Sequence, residues 1–217
     1  MESPFPLLIA ATGLMIVPFL VVSLTAFVKI AVVLFLVRSA LGVQQTPPNL
    51  VLYGVTIVLT SYVMSPVLAE SFAAMTNNGN MTALPDPTEW PGMLQRGLEP
   101  VREFLLRFTT DEDRAFFLSA AEEMHADTTV TPSDSDIFIL APAFVTAELT
   151  RAFEIGVLLY LPFIVVDLVI TNILTAMGMM MVSPTLISLP FKVLLFVAVD
   201  GWTRLTHGLV MSYVPGA

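Results

Sequence analysis

Six charged side chains stand inside the apolar stretch from Pro142 to Trp202: Glu148, Arg151, Glu154, Asp167, Lys192 and Asp200. Charge in such a run is costly unless it faces protein or a water-filled cavity. Two chemistries use charges of this kind. Carboxylates can hand protons along a pathway, and opposite charges at helical spacing can pair and lock helices together. Glu148, Arg151 and Glu154 follow i, i+3, i+6 and alternate in sign, so they roughly share one helical face. Pairing, within the chain or with a neighbouring subunit, accounts for the alternation better than a relay does. Asp167 follows Glu154 by slightly under four turns and extends the polar stripe. Its partner is a cation such as Lys192 or Lys29, and the sequence does not choose between them.

A second cluster is soft rather than charged. Met177, Met179, Met180 and Met181 are four of the chain's twelve methionines, set around Gly178. Methionine is unbranched and polarizable and packs around irregular shapes. Several such turns in a ring make a deformable apolar seal; a single one equally suits a lipid interface. Catalytic patterns are absent from the sequence. His125 and His207 are the two histidines, outside any HExxH or close metal-ligand spacing, and no GxSxG, Walker or GxGxxG pattern occurs. With no cysteine there is neither a thiolate nucleophile nor a disulfide framework. The expectation is a protein that is not an enzyme, with no catalytic, cofactor-binding or metal site.

The elements that must carry these residues are apolar helices. The 217 residues have a mean hydropathy of +0.83 and are 56% hydrophobic and 12% charged. A soluble domain carries about a quarter charged residues, so an integral membrane protein is expected. Residues 5–37 form a first run holding Lys29 and Pro18, where a kink or split is expected. The N-terminus lacks a basic n-region, and this run reads as a retained helix rather than a cleaved leader. Gly42 and Pro47-Pro48 interrupt the chain before a second run, residues 50–75. Between them, Gln44 and Gln45 serve a polar turn or a subunit contact with equal weight.

Residues 81–136 differ in kind. Twelve acids stand against four arginines between residues 86 and 136, which excludes a nucleic-acid partner. Within them GLEPVREFLLRF reads as an amphipathic helix with Val101, Leu105 and Phe108 on one face. Thr110 is the expected N-cap of a further helix opening on Asp111, Glu112 and Asp113. Run three, from about Ile137 to Ala176, exceeds one ordinary span, and run four covers Leu186 to Val214. The expected fold is all-α: about four long, kinked hydrophobic helices in membrane-inserted hairpins, residues 1–80 and 137–217, around a small acidic helical insertion, 81–136. Arg38 and Lys192 beside the short loops place those loops in the cytoplasm, and the insertion and both termini outside.

Several motifs in order resemble one known family. Pro142-Ala143-Phe144, Glu148-Leu149, Ala152-Phe153-Glu154-Ile155-Gly156, Pro162-Phe163, Asp167, Met177 to Met181, Ser188-Leu189-Pro190-Phe191-Lys192 and Asp200-Gly201-Trp202 are similar to the C-terminal half of the FliP/SctR family. These are export-gate subunits of type III secretion systems, flagellar and injectisome. Lys29-Ile30, Arg38, Leu41-Gly42-Val43-Gln44-Gln45 and Pro47-Pro48-Asn49 resemble its N-terminal half. Ala147 stands where the family usually has a small hydroxyl residue, and the acidic insertion is the least matched part. The Gly-Val-Gln-Gln wording tilts the resemblance to the injectisome branch.

The resemblance implies a multi-pass protein of the bacterial inner membrane that forms a pentamer. It joins SctS/FliQ-like and SctT/FliR-like subunits in a helical cone largely at periplasmic level, and works with SctU/FlhB-like and SctV/FlhA-like export components. The cone conducts unfolded secreted proteins, and the methionine loop, matched by Met177, Met179, Met180 and Met181, acts as its gasket. Lys29, Glu148, Arg151, Glu154, Asp167, Lys192 and Asp200 are then expected in contacts within and between subunits, with Gln44 and Gln45 as loop contacts. The rival reading is an ion- or proton-coupled transporter with Asp167 and Glu154 as carriers.

Overall fold

The computed structural model describes residues 15, 18–43, 46–76, 89–124, 132–179 and 181–214. Every named element is a helix: α1 Phe27–Leu41, α2 Asn49–Met75, α3 Trp90–Phe108, α4 Asp111–Met124, α5 Ile137–Ala176, α6 Pro184–Ala198 and α7 Gly201–Met211. Among the described residues there is no strand. The all-α expectation holds, and α2 and α5 are each long and apolar enough to cross a membrane. A third crossing is formed if α6 and α7, bent by 59°, count as one.

The break expected at Pro18 falls elsewhere. The first run is helical from Pro18 and yields at residues 24–26, just before α1. There the Phe27 amide donates to Thr25 Oγ1 at 3.4 Å, so a threonine hydroxyl offers the backbone an alternative to the helix. Run three, by contrast, does not break: α5 continues through Pro142 and Pro162 for 40 residues. At about 1.5 Å per residue it is roughly 60 Å long, twice the ~30 Å hydrocarbon core. Run four does break, after Ala198. Asp200 takes φ 53°, the left-handed conformation that Asp tolerates better than most residues. Gly201 is needed beside it, because a Cβ there would collide with the ring of Phe196. Pro66, in turn, sits inside a continuous α2.

The chain forms two compact units. One takes in Met64–Leu149 with the described residues up to Val28; the other is Lys29–Val63 with Thr150–Ala217. These units cut across the segments 1–80, 81–136 and 137–217, since one long helix can contribute to more than one core. In the first unit α3 buries Phe104 and Leu105, and Phe104 meets Phe144 of α5 at 5.6 Å between ring centroids. Gly97 lets α3 approach Met75 of α2, where any side chain would collide. The apolar face expected at Val101, Leu105 and Phe108 is therefore a docking face.

Thr110 caps α4 as its position implies. Its Oγ1 accepts from the Asp113 amide at 3.1 Å and donates to the Asp113 carboxylate at 2.5 Å. Asp111, Glu112 and Asp113 stand at the positive end of the helix dipole. Thr110→Ala is expected to cost about 1 kcal/mol. The check is faster amide exchange in the first turn of α4, with the exchange of α5 unchanged.

Candidate functional site

In the second unit α1 ends at Leu41, and Gly42 turns the chain away at φ 72°. The last carbonyls of such a helix lack intrahelical partners and carry its partial negative charge. Lys192 of α6, only 4% exposed, supplies the missing donor: its Nζ lies 3.2 Å from the Ala40 carbonyl. The same ammonium donates to Asp167 Oδ2 of α5 at 2.6 Å. One turn before Lys192, the buried Ser188 donates through Oγ to Asp167 Oδ1 at 2.5 Å. Ser188 and Lys192, at i and i+4 on α6, thus hold both oxygens of one carboxylate. The result is a clamp joining α1, α5 and α6. Across the adjoining loop, Arg38 Nη1 donates to Asn49 Oδ1 at 2.6 Å and to the Pro47 carbonyl at 3.3 Å.

Of the two cations left open for Asp167, the structure pairs Lys192. Lys29 is equally buried, but its Nζ sits 3.6 Å over the ring of Tyr213, a cation–π contact. Ser188 was not singled out as a partner by sequence; its i, i+4 relation to Lys192 was the available signal.

The polar stripe does not run as expected. Glu148 is fully buried, Arg151 half-buried and Glu154 exposed. At about 100° per residue, i to i+6 turns roughly 120° around the axis, enough to leave the core. Thirteen further residues put Asp167 about 140° from Glu154, so it does not extend that stripe. Asp167 instead follows buried Phe163 by one turn. The buried face of α5 is the i+4 row Leu140, Phe144, Glu148 and Ala152. Asp200 is exposed at the bend and makes no ion pair among the described residues. His207 is exposed too, and among the described residues no cluster of His, Cys, Asp or Glu has the spacing to hold a metal ion.

The methionine turn is set by the end of α5. Gly178 has φ 70°. Its amide donates to the Thr175 carbonyl at 3.0 Å, and the Met179 amide donates to the Leu174 carbonyl at 2.9 Å. This is the paired Schellman geometry, which needs a left-handed residue where Gly178 stands. The glycine among the methionines is therefore a helix stop. Met177, Met179 and Met181 are all exposed, Met181 completely. Met180, like Gln44, Gln45 and His125, lies outside the described residues.

The FliP family profile matches residues 10–209. The chain is 51% identical over 214 residues to a probable translocation protein, y4yL, of Sinorhizobium fredii, covering 96% of this chain and 93% of that one. It is 51% identical over 209 residues to the Yop proteins translocation protein R of Yersinia pestis, covering 95% of each. The flagellar biosynthetic protein FliP of Pectobacterium carotovorum is 43% identical over 206 residues, covering 95% of this chain and 77% of that one. By the extent and identity of these matches, the chain belongs to the FliP family.

Proposed function

We propose that the chain is a core subunit of a type III secretion export gate in the bacterial inner membrane. A pentamer of it, with SctS/FliQ-like and SctT/FliR-like subunits, encloses a conduit for unfolded protein. The observation that carries this reading is the methionine turn, exposed at Met177, Met179 and Met181 yet held by a helix stop. Met177, Met179, Met180 and Met181 from several copies meet in an apolar constriction, and such constrictions gate by dewetting. An unfolded chain displaces the flexible thioethers, and the idle ring excludes water and ions.

Two further features support it. Relatives of this chain carry the names of translocation and flagellar biosynthetic proteins. The apolar surface of the two long helices is also largely uncovered, with only 22% and 11% of their most apolar windows buried. An α5 twice as long as the bilayer core is thick must leave lipid, so neighbouring subunits at periplasmic level cover it. Exposed Glu154 and Asp200 are available for pairing between copies, with the loop amides of Gln44 and Gln45, while Lys29, Glu148 and Arg151 serve contacts within the chain. Export energy enters through SctU/FlhB-like and SctV/FlhA-like components. The transporter reading finds less support: Asp167 has both oxygens engaged, and Glu154 stands on another face.

The chain has no cysteine, so single cysteines can be placed without removing others. Cysteine at position 177, 179 or 181 is expected to crosslink to a substrate stalled in transit, and cysteine at exposed Val58 of α2 is not. Absence of crosslinks at all three turn positions in an export-competent complex would reject the gasket.

A further inference from the structure

On α5, Glu154, Leu158, Leu161, Val165 and Leu168 follow one another in steps of four and three, and all five are exposed. At about 100° per residue they form one straight stripe, on the side of α5 opposite buried Ala152 and Phe163. This is the spacing of a seam that a second helix packs against. On α7, Arg204 is exposed as well, and among the described residues neither it nor Glu154 makes an ion pair. The two nevertheless stand at one height. Asp167 meets Lys192, and Phe163, one turn before, meets Phe196, one turn after, so α5 and α6 run antiparallel. Glu154 lies thirteen residues before Asp167, and Arg204 lies twelve after Lys192. Those are rises of roughly 20 and 18 Å in the same direction. The bend at Asp200 does not undo the match, because Arg204 lines one cavity with Ile155, next to Glu154.

We infer that the α5 seam of one copy packs on the α6–α7 arm of the next, with Glu154 paired to Arg204 of that neighbouring copy. The inference rests on the ring proposed above. Rotation about an axis along the spanning helices changes the direction a side chain faces and keeps its height. A carboxylate and a cation that are level in one chain are therefore level across the boundary between copies. A closed ring joins two different faces of the chain, one from each copy. Asp200 stands one turn from Arg204 on the same arm, so it does not supply the opposite face; Glu154, on the other helix, does. Charge on an apolar helix is costly unless protein or water meets it, and here one chain carries both members of the pair. A different subunit would have to bring a cation to one point and a carboxylate to the other. Charge complementarity at one height thus selects a second copy.

The test is crosslinking of the full chain, co-expressed with its SctS/FliQ-like and SctT/FliR-like partners, by a short bismaleimide. Glu154→Cys and Arg204→Cys on separate chains are expected to give a crosslinked dimer. The two on one chain give a ladder of dimers and higher multimers, and either chain alone gives neither. Glu154→Arg is expected to lower the yield of purified oligomer about tenfold, because like charges then face each other, and adding Arg204→Glu restores it. That recovery separates a contact between copies from a folding defect in either single variant. An oligomer of full mass without the 154–204 link overturns this contact and leaves the gate standing. A link to a partner subunit, or one closed within a single chain, overturns it too. A chain that stays monomeric beside those partners overturns the gate as well.

Discussion

Lys192→Met is expected to lower the stability of the purified chain by roughly 3 kcal/mol, because it strands a partner rather than deleting a contact. Breaking a buried pair leaves the surviving charge desolvated, and here Asp167 would keep only Ser188 as a donor. The Ala40 carbonyl would lose its cation as well. Asp167 has a side chain 37% exposed, which puts the effect at the low end of the range for buried pairs. Asp167→Asn should cost less, since a neutral amide still accepts from Lys192. The diagnostic variant is Asp167→Leu with Lys192→Met, where no charge remains buried. It should recover most of the loss of Lys192→Met. Denaturant unfolding in detergent measures stability, and co-purification of the oligomer measures assembly. If Lys192→Met unfolds with the wild-type chain, the clamp contributes no stability. If Asp167→Asn instead assembles fully and loses only a proton-dependent flux, the carboxylate is a carrier and the transporter reading prevails.

The combined replacement Met177→Ser, Met179→Ser and Met181→Ser is expected to raise ion leak through the reconstituted idle complex about tenfold or more. A dewetting barrier lowered by about 1.4 kcal/mol is sufficient for a tenfold change. Chain stability should move by less than about 0.5 kcal/mol, since all three side chains lie at the surface of the single chain. That separation is what distinguishes this variant from Lys192→Met, which should fail in assembly first. Leucine at the same three positions should keep the seal closed, because apolarity is retained and only flexibility is lost. Gly178 must stay in all of them, as the helix stop requires its positive φ. Ion flux into liposomes holding the purified complex is the measurement; a serine variant as tight as wild type would remove the methionines from the gate.

The sequence by itself determined whatever depends on near neighbours along the chain. Thr110 before three acids specified a helix start, because a hydroxyl reaches an amide three residues on. Gly178 and Gly42 ended helices where left-handed backbone was needed. The apolar runs over α2 and α5 specified helices of spanning length. Prolines were less informative: Pro142 and Pro162 interrupt nothing, since packing around a long helix tolerates a missing amide donor.

Only the tertiary structure decided which cation meets Asp167. Lys29 and Lys192 were equivalent as charges in apolar runs, yet one lies against Tyr213 and the other against Asp167 and the end of α1. It also decided that Glu148 is buried and Glu154 exposed on the same helix, and that run four bends at Asp200 where Gly201 meets Phe196. Helix period and capping act over a few residues and can be read from them. The choice of partner for a buried charge depends on which side chains packing brings to the same place, here Ala40 and Lys192, 152 residues apart.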